Sequence, residues 1–314
     1  MTDDRRAWTG RLDRDGAVAI LGAMSPPDPA ALRLRKPLPP RRAGRPADAD
    51  LLARRGSSGG APDVMLGGVA CAVAGARDAA RTIVHLHGGG YRMGSAAAWR
   101  PFAERLAVVT HARVIVPDYA LAPEAPFPGA LHDAAAVVGA AVADHGPVVL
   151  SGDSAGGGLA LALAAALAPP VPLLGLVLLS PWIDLTLSGD SFDRCAASDA
   201  LFSRASASAA AEAYLQGWDA ADPRASPLFA DLTALPPTLL AVSSSEVLCD
   251  ESLDLLRRLA LASVRTTAVI EPDVPHIWPV LATDAPAQRA LDLIDGFVGA
   301  LSAPCSAGSS GASD

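Results

Sequence analysis

Short apolar runs alternate with alanine- and leucine-rich stretches along most of this sequence, and this alternation is the strongest constraint on its fold. The strand-like runs lie at 64–73, 82–86, 113–117, 148–151, 174–179, 238–242 and 265–270. The helical stretches lie at 96–110, 129–144, 155–168, 250–263 and 286–301. Strands that alternate with helices build a mainly parallel sheet covered by helices. The sequence therefore predicts an α/β fold.

Composition limits the classes of partner. Of the 314 residues, 51% are hydrophobic and 18% charged, which excludes disorder for most of the chain. The net charge of −8 provides no general basic field, so we expect no nucleic-acid partner. The four cysteines stand apart with no CxxC pair, at Cys71, Cys195, Cys249 and Cys305. They indicate neither a disulfide scaffold nor a zinc module, and they favour a reduced, cytoplasmic setting.

No segment has the pattern of a membrane span. The first residues, MTDDRRAWTGRLDRDG, mix both charges and do not resemble a secretory signal. The long uncharged run at 159–181 is interrupted by Pro169, Pro170 and Pro172. Such a run is typical of a helix followed by a buried strand.

Three regions depart from the alternation. Residues 1–60 are rich in Arg, Pro, Gly and Asp, and we expect one or two short helices and an extended lead-in to the main domain at 61–303. Residues 184–227 are polar and lie between two predicted strands, which predicts a cap insertion over the carboxyl edge of the sheet. The small polar residues at 304–314 predict a disordered tail.

A candidate nucleophile follows the run at 148–151. Gly152-Asp153-Ser154-Ala155-Gly156 is a G-x-S-x-G motif between a strand and a helix, the setting that exposes a serine hydroxyl on a sharp turn. From this pentapeptide alone, a glycine-rich βα turn with an incidental serine remains an alternative. Asp153 is expected to stabilise the turn.

A glycine run follows an earlier strand. His87-Gly88-Gly89-Gly90-Tyr91 can direct backbone N–H groups at one point, as an oxyanion hole requires. The predicted donors are Gly88, Gly89 and Ala155. A phosphate-binding loop would need a Lys-Ser/Thr pair or a G-x-G-x-x-G pattern, and neither is present at this run.

Five segments together resemble the bacterial hormone-sensitive-lipase-like family of α/β-hydrolase esterases. They are HGGGYRMGS at 87–95, PDYALAPEAPFP at 117–128, GDSAGGGLA at 152–160, SPWIDLT at 180–186 and PHIWP at 275–279. The resemblance covers roughly residues 64–300. It implies an α/β-hydrolase fold with a mostly parallel, eight-stranded sheet, a small helical cap and a Ser-His-acid triad without metal or cofactor. Ala120 departs from the family's motif, which carries arginine there, and residues 1–60 match poorly.

The order of the triad in this fold places the acid and then the histidine after the serine. His276, in a proline-bounded loop after the last predicted strand, is the predicted base. Glu246 is the preferred acid because it follows the run at 238–242 most closely. Asp250 and Asp273 remain alternatives, although Asp250 is also well placed to cap the next helix.

These residues predict a serine carboxylesterase, and the resemblance implies short-chain esters, acetyl esters included. Two alternatives stay open. One is an acyltransferase or deacetylase that tailors a specialised metabolite, and the other is a non-catalytic binding protein, which His276 argues against. A small-molecule ester is the expected partner, and a homodimer is left open. Four tryptophans could line the acyl pocket or pack in the core, namely Trp99, Trp182, Trp218 and Trp278.

Overall fold

An eight-stranded sheet runs through the computed structural model, which describes residues 32–55, 62–169 and 172–301. Its strands are Val64–Leu66 (β1), Val69–Ala74 (β2), Thr82–Leu86 (β3), Arg113–Pro117 (β4), Val148–Asp153 (β5), Leu173–Leu179 (β6), Thr238–Ser243 (β7) and Thr266–Glu271 (β8). They lie side by side in the order β1-β2-β4-β3-β5-β6-β7-β8. Strand β2 is antiparallel to β1 and β4, and all other neighbours are parallel. The predicted mostly parallel, eight-stranded sheet is confirmed.

Helices cover both faces of this sheet. They are Ala49–Arg55 (α1), Ala96–Thr110 (α2), Gly129–His145 (α3), Ser154–Ala166 (α4), Ser191–Arg194 (α5), Arg204–Leu215 (α6), Cys249–Leu261 (α7), Trp278–Leu281 (α8) and Ala285–Ala300 (α9). Helices α3, α4 and α7 pack in one apolar layer, and α2 and α9 pack in the other. Each layer buries the apolar side chains of alternate strand positions, which is the usual way to stabilise a parallel sheet.

The long uncharged run at 159–181 divides between α4 and β6, as its prolines predict. Helix α4 is buried from Ser154 to Ala164 because it lies between the sheet and the rest of the layer. Its apolar character therefore reflects its place in the core. In the described ranges, no helix combines the length and apolarity needed to cross a bilayer.

The prediction of one strand at 64–73 is wrong. Val64 to Leu66 and Val69 to Ala74 pair with each other as an antiparallel hairpin, and Gly67-Gly68 forms its two-residue turn. Both glycines have positive φ, +56° and +81°, as the tight turns of such hairpins require. An alternating apolar pattern continues across the turn, so it gives no sign of the reversal.

The predicted lead-in and insertion both contribute helices. Helix α1 lies in the described part of the lead-in, and α5 and α6 lie within 184–227. Phe127 N donates to Tyr214 O at 2.7 Å, so α6 is held against the loop that precedes α3. The boundaries at 60 and 303 stay predictions. Residues 1–31, 56–61 and the predicted tail at 304–314 lie outside the described residues.

The parallel strands bring three loops to one edge of the sheet. Strand β5 ends at Asp153, β7 at Ser243 and β8 at Glu271, and these strands run in the same direction. Their carboxyl ends therefore face the same crevice, which is where open α/β sheets place their sites.

Candidate active site

Ser154 lies on a sharp turn between β5 and α4. Its φ is +50°, a left-handed conformation that is costly for a residue with a side chain. The turn is tight because a Cβ on Gly152 would lie 2.2 Å from Gly156 O, and one on Gly156 would lie 2.0 Å from Leu86 O. Only glycine allows strand and helix to approach this closely. The turn thus presents the serine hydroxyl at the edge of the sheet, as the G-x-S-x-G motif predicts.

Ser154, His276 and Glu246 form one hydrogen-bonded chain. Ser154 Oγ lies 3.0 Å from His276 Nε2, and His276 Nδ1 lies 3.0 Å from Glu246 Oε2. All three side chains are buried. With the imidazole proton on Nδ1, the ring donates to the carboxylate and leaves Nε2 to accept the serine O–H. This arrangement can remove the serine proton and return it to a leaving group.

The charges around His276 raise the pKa of its imidazole. Burial alone would lower the pKa of His276, but the charge of Glu246 and its hydrogen bond raise it. The charges of Asp199 and Asp153 act in the same direction, and the net pKa of His276 lies above its ordinary value. An imidazole of higher basicity accepts a proton from serine more readily.

Two side-chain bonds fix the loop that carries His276. Ser243 Oγ, at the end of β7, donates to Val274 O at 2.6 Å. Ile277 N donates to Ser180 Oγ, just after β6, at 3.1 Å. The histidine is therefore held between the ends of two central strands.

Neither of the two alternative acids is bonded to His276 among the described contacts. Asp250 forms an ion pair with Arg194 and accepts a hydrogen bond from Ser191 N at 2.7 Å. The expectation that Asp250 caps α7 is wrong, because Leu248 occupies the N-cap position and Asp250 lies inside the first turn. Asp273 is exposed, and its amide donates to Ser245 Oγ. Of the three carboxylates, the structure brings Glu246 to His276.

The amide of Gly88 does not fit the predicted role of oxyanion donor. Gly88 N donates to Asp153 Oδ1 at 3.1 Å, so this N–H group already has an acceptor. Among the described residues the N–H groups of Gly89 and Gly90 have none. Ala155 N lies in the first turn of α4, where helical N–H groups have no intrahelical acceptor. Gly89 and Ala155 keep the predicted capacity. Gly90, which the sequence analysis did not name, has a free N–H group among the described residues, and the glycine run does not show which amides are engaged.

Asp153 joins the nucleophile turn to the glycine loop. Its Oδ1 also accepts hydrogen bonds from Trp99 Nε1 at 2.8 Å and from His85 Nε2 at 3.0 Å. The carboxylate is fully buried, and these three donors solvate Oδ1, whereas Oδ2 has no hydrogen-bond partner among the described residues. The expected stabilising role of Asp153 therefore extends to the loop that carries the candidate oxyanion donors.

The tryptophans have different surroundings. Trp182 packs edge-on against Phe202, whose ring lies parallel to that of His276, and Trp182 also contacts Tyr91. Trp99 holds Asp153, Trp278 is buried in the α2–α9 layer, and Trp218 bonds Asp222 away from the triad. Trp182 is thus the tryptophan linked most directly to the histidine, through Phe202.

Sequence reasoning missed Asp199 and Phe202. Both lie in the insertion, and Phe202 covers the imidazole of His276 at a ring-centroid distance of 5.9 Å. The only sequence signal was their place in the predicted cap, which named no individual residue.

The chain is similar to known proteins in both sequence and structure. The sequence profile of the Abhydrolase_3 family, described as an alpha/beta hydrolase fold, matches residues 83–280. An acetyl-hydrolase of Streptomyces hygroscopicus is 37% identical over 233 residues, covering 71% of this chain and 77% of that protein. An esterase of Acinetobacter venetianus is 42% identical over 181 residues, covering 55% and 59%.

Solved structures give the same result. The crystal structure of an esterase from the bacterial hormone-sensitive lipase family has a TM-score of 0.71 and 36% sequence identity, covering 76% of this chain and 83% of that one. A hormone-sensitive lipase from a metagenome library has a TM-score of 0.72 at 35% identity, covering 78% and 85%.

Proposed function

Because the chain belongs to the bacterial hormone-sensitive-lipase-like family of α/β-hydrolase esterases, we propose that Ser154, His276 and Glu246 make it a serine carboxylesterase of short-chain esters. The observation that carries this assignment is the continuous hydrogen-bonded chain from Ser154 Oγ through the imidazole to the Glu246 carboxylate. Each of the three groups has the partner that its role in acyl transfer requires.

The reaction proceeds in two halves. His276 Nε2 takes the proton of Ser154 as its Oγ attacks the ester carbonyl, and Glu246 stabilises the imidazolium. The N–H groups of Gly89, Gly90 and Ala155 are proposed to bind the oxyanion, and Gly88 is proposed to hold the glycine loop through Asp153. His276 then protonates the leaving alcohol. Water, activated by the same histidine, finally releases the acid from Ser154.

Acetyl and other short acyl groups are the proposed substrates. The names of two relatives support this, the acetyl-hydrolase of Streptomyces hygroscopicus and the putative acetyl-hydrolase LipR of Mycobacterium tuberculosis. The same names favour deacetylation as a second candidate function. A non-catalytic binding role is not supported, because Ser154 and His276 are in contact.

A series of chromogenic esters tests this proposal. Acyl chains of two to about six carbons should give the highest kcat/KM, and an optimum at ten carbons or more would contradict the short-chain assignment. Ser154→Ala should lower kcat by about 10⁴- to 10⁶-fold with unchanged melting. A serine-directed phosphonate should label Ser154 in the wild-type protein and leave the variant unlabelled. Acetylated metabolites, with and without an added alcohol acceptor, separate deacetylation from acyl transfer.

Setting and assembly are part of the proposal. Cys71, Cys195 and Cys249 are buried free thiols, which suits a reducing compartment such as the cytoplasm. The net charge of −8 supports a small neutral or cationic ester over a nucleic acid as partner. Cell fractionation tests the cytoplasmic location, and sedimentation of the purified chain tests whether it forms a homodimer.

A further inference from the structure

The insertion holds the loop that carries Glu246 on both sides of that residue. Ser198 Oγ donates to Ser245 O at 2.7 Å, immediately before the glutamate. Val247 N donates to Asp199 Oδ2 at 3.0 Å, immediately after it. The backbone on either side of Glu246 is therefore bonded to consecutive residues of the insertion.

The other carboxylate oxygen of Asp199 bonds the backbone of the insertion itself. Asp199 Oδ1 accepts hydrogen bonds from Leu201 N at 3.0 Å and from Phe202 N at 2.9 Å. The Phe202 ring then stacks on the imidazole of His276, with 13° between the two planes. One carboxylate thus bonds the backbone beside the candidate acid and the residue that covers the candidate base.

We propose that Asp199 is a positioning residue that fixes Glu246 and His276 relative to each other. Its Oδ2 bonds Val247 N and so fixes the loop that carries Glu246. Its Oδ1 bonds Phe202 N and so fixes the turn that places the Phe202 ring parallel to the imidazole. Asp199 acts through these residues and not on the reacting atoms. The proposal rests on the roles assigned to Glu246 and His276 under the proposed function.

The charge of Asp199 gives the proposal a measurable signature. Burial lowers the pKa of His276, and the charges of three carboxylates raise it, namely Glu246, Asp199 and Asp153. Loss of the Asp199 charge lowers the pKa of His276. A loosened contact with Glu246 lowers it too, so both consequences have the same sign.

Asp199→Asn separates the roles of the two carboxylate oxygens, because it can keep the bonds of one and remove the bond of the other. The asparagine carbonyl can keep the bonds to Leu201 N and Phe202 N, since asparagine is favourable in such turns. Its NH₂ group then meets Val247 N–H, and two donors cannot bond. We expect kcat to fall about tenfold, with KM within about twofold of wild type. The acidic limb of the kcat/KM profile should move to lower pH.

Asp193→Asn is the matched control. Asp193 lies in the same insertion, is exposed and pairs with Arg204. This variant removes one negative charge without a bond to the acid loop, so kcat and the pH profile should match wild type. An acidic limb in Asp199→Asn that coincides with that of the control overturns the proposal, and so does an unchanged kcat.

A double-mutant cycle tests the route of the effect. If Asp199 acts by positioning Glu246, then Asp199→Asn should lower kcat less than about twofold in a Glu246→Gln background. A full tenfold loss in that background means that Asp199 acts elsewhere, and the proposal is then wrong.

Phe202→Leu serves as the second variant should Asp199→Asn fail to fold. It leaves the Asp199 carboxylate and its bond to Val247 in place and removes only the ring that covers His276. We expect a fall in kcat of about threefold at constant KM. A wild-type kcat in this variant overturns the proposed part of Phe202.

Ser154→Ala and His276→Ala should be measured in the same assay. They distinguish a failure of the proposed esterase function from a failure of the positioning role of Asp199. Activity in either variant contradicts the proposed function itself. Inactive triad variants beside a wild-type Asp199→Asn contradict only the positioning role.

Discussion

Arg41 of the N-terminal segment forms an ion pair with Asp133 of α3, and the other oxygen of that carboxylate accepts the amide of Ala120 at 2.8 Å. Position 120 is where the resembling family carries an arginine. The Arg41 guanidinium, from a distant part of the chain, therefore bonds the carboxylate that accepts the Ala120 amide. It lies next to the position where this chain lacks the arginine of the family motif. The segment at 32–55 thus stabilises the loop that precedes α3, which extends the lead-in role expected of it.

This relationship predicts unequal effects of removing its two members. Arg41→Ala should lower the free energy of unfolding by about 0.5 kcal/mol, because half of this side chain is exposed and the pair is screened by solvent. Asp133→Ala should cost about 1–2 kcal/mol, since it also leaves the Ala120 amide without its acceptor. Urea denaturation measures both. Arg45→Ala is the control, because Arg45 and Glu212 form a longer, exposed pair and its loss should have almost no effect.

Glu246→Gln and Asp250→Asn should separate the triad acid from its neighbour. Glu246→Gln removes the charge that supports the imidazolium, and kcat should fall by roughly 10³- to 10⁴-fold. Asp250→Asn weakens only the contacts with Arg194 and Ser191, so kcat should stay within about tenfold while the melting temperature falls. Steady-state kinetics and thermal melts measure the two properties. A nearly inactive Asp250→Asn beside a nearly normal Glu246→Gln would reverse the assignment.

The pH dependence of activity should reflect the raised pKa of His276. Burial lowers this pKa, but Glu246 raises it by charge and hydrogen bond, so that the net pKa lies above 6.5. The imidazole must be neutral to accept the serine proton, and kcat/KM therefore falls as the pH falls through that pKa. The midpoint of the acidic limb should lie above 6.5. In Glu246→Gln it should move to lower pH, and a limb that stays in place would contradict the pairing.

Glu251 should make stability depend on pH in the direction opposite to most carboxylates. Burial raises its pKa well above 4.5, with the charges of Asp184 and Glu246 acting in the same sense. The protonated form is favoured in the folded state, so its contribution to stability is full below the unfolded pKa and falls as the pH rises toward the folded pKa.

Glu251→Gln is the test. Glutamine does not titrate and can still accept the bond from Ile183 N. The stability of this variant relative to wild type should therefore increase between about pH 5 and pH 8, as urea denaturation would show. Asp254→Asn changes an exposed carboxylate of the same helix and should show no such trend. Parallel pH curves for Glu251→Gln and wild type would mean that Glu251 is ionised in the folded protein.

Local patterns were sufficient for most of the fold. Apolar runs and helical stretches are properties of neighbouring residues, and the helix at 96–110 begins and ends where predicted. The same patterns hid the reversal at Gly67, because the alternation of β1 continues into β2. The Gly67-Gly68 turn separates these strands, and the hydrophobic pattern does not reveal it.

The site was predictable where chain order limits the choice. His276 and Glu246 follow from the sequence of triad members and from distance to a strand end. The bond between Gly88 and Asp153 was not predictable, since it joins residues 65 apart whose contact depends on the neighbouring positions of β3 and β5. The bond between Asp199 and Val247 is of the same kind. Such contacts are set by tertiary packing and leave no local periodicity.

The close contacts at the nucleophile turn have a consequence for how such sequences are found in genomes. Gly152 and Gly156 are required by neighbouring backbone atoms, whichever reaction the chain performs. The histidine that contacts Ser154 lies 122 residues further on and belongs to a loop with its own anchors. A search for the glycine signature therefore selects for architecture. A duplicated gene that exchanged only its histidine would retain that signature in full while losing its chemistry, so surveys that count enzymes by this motif should also require the distant histidine.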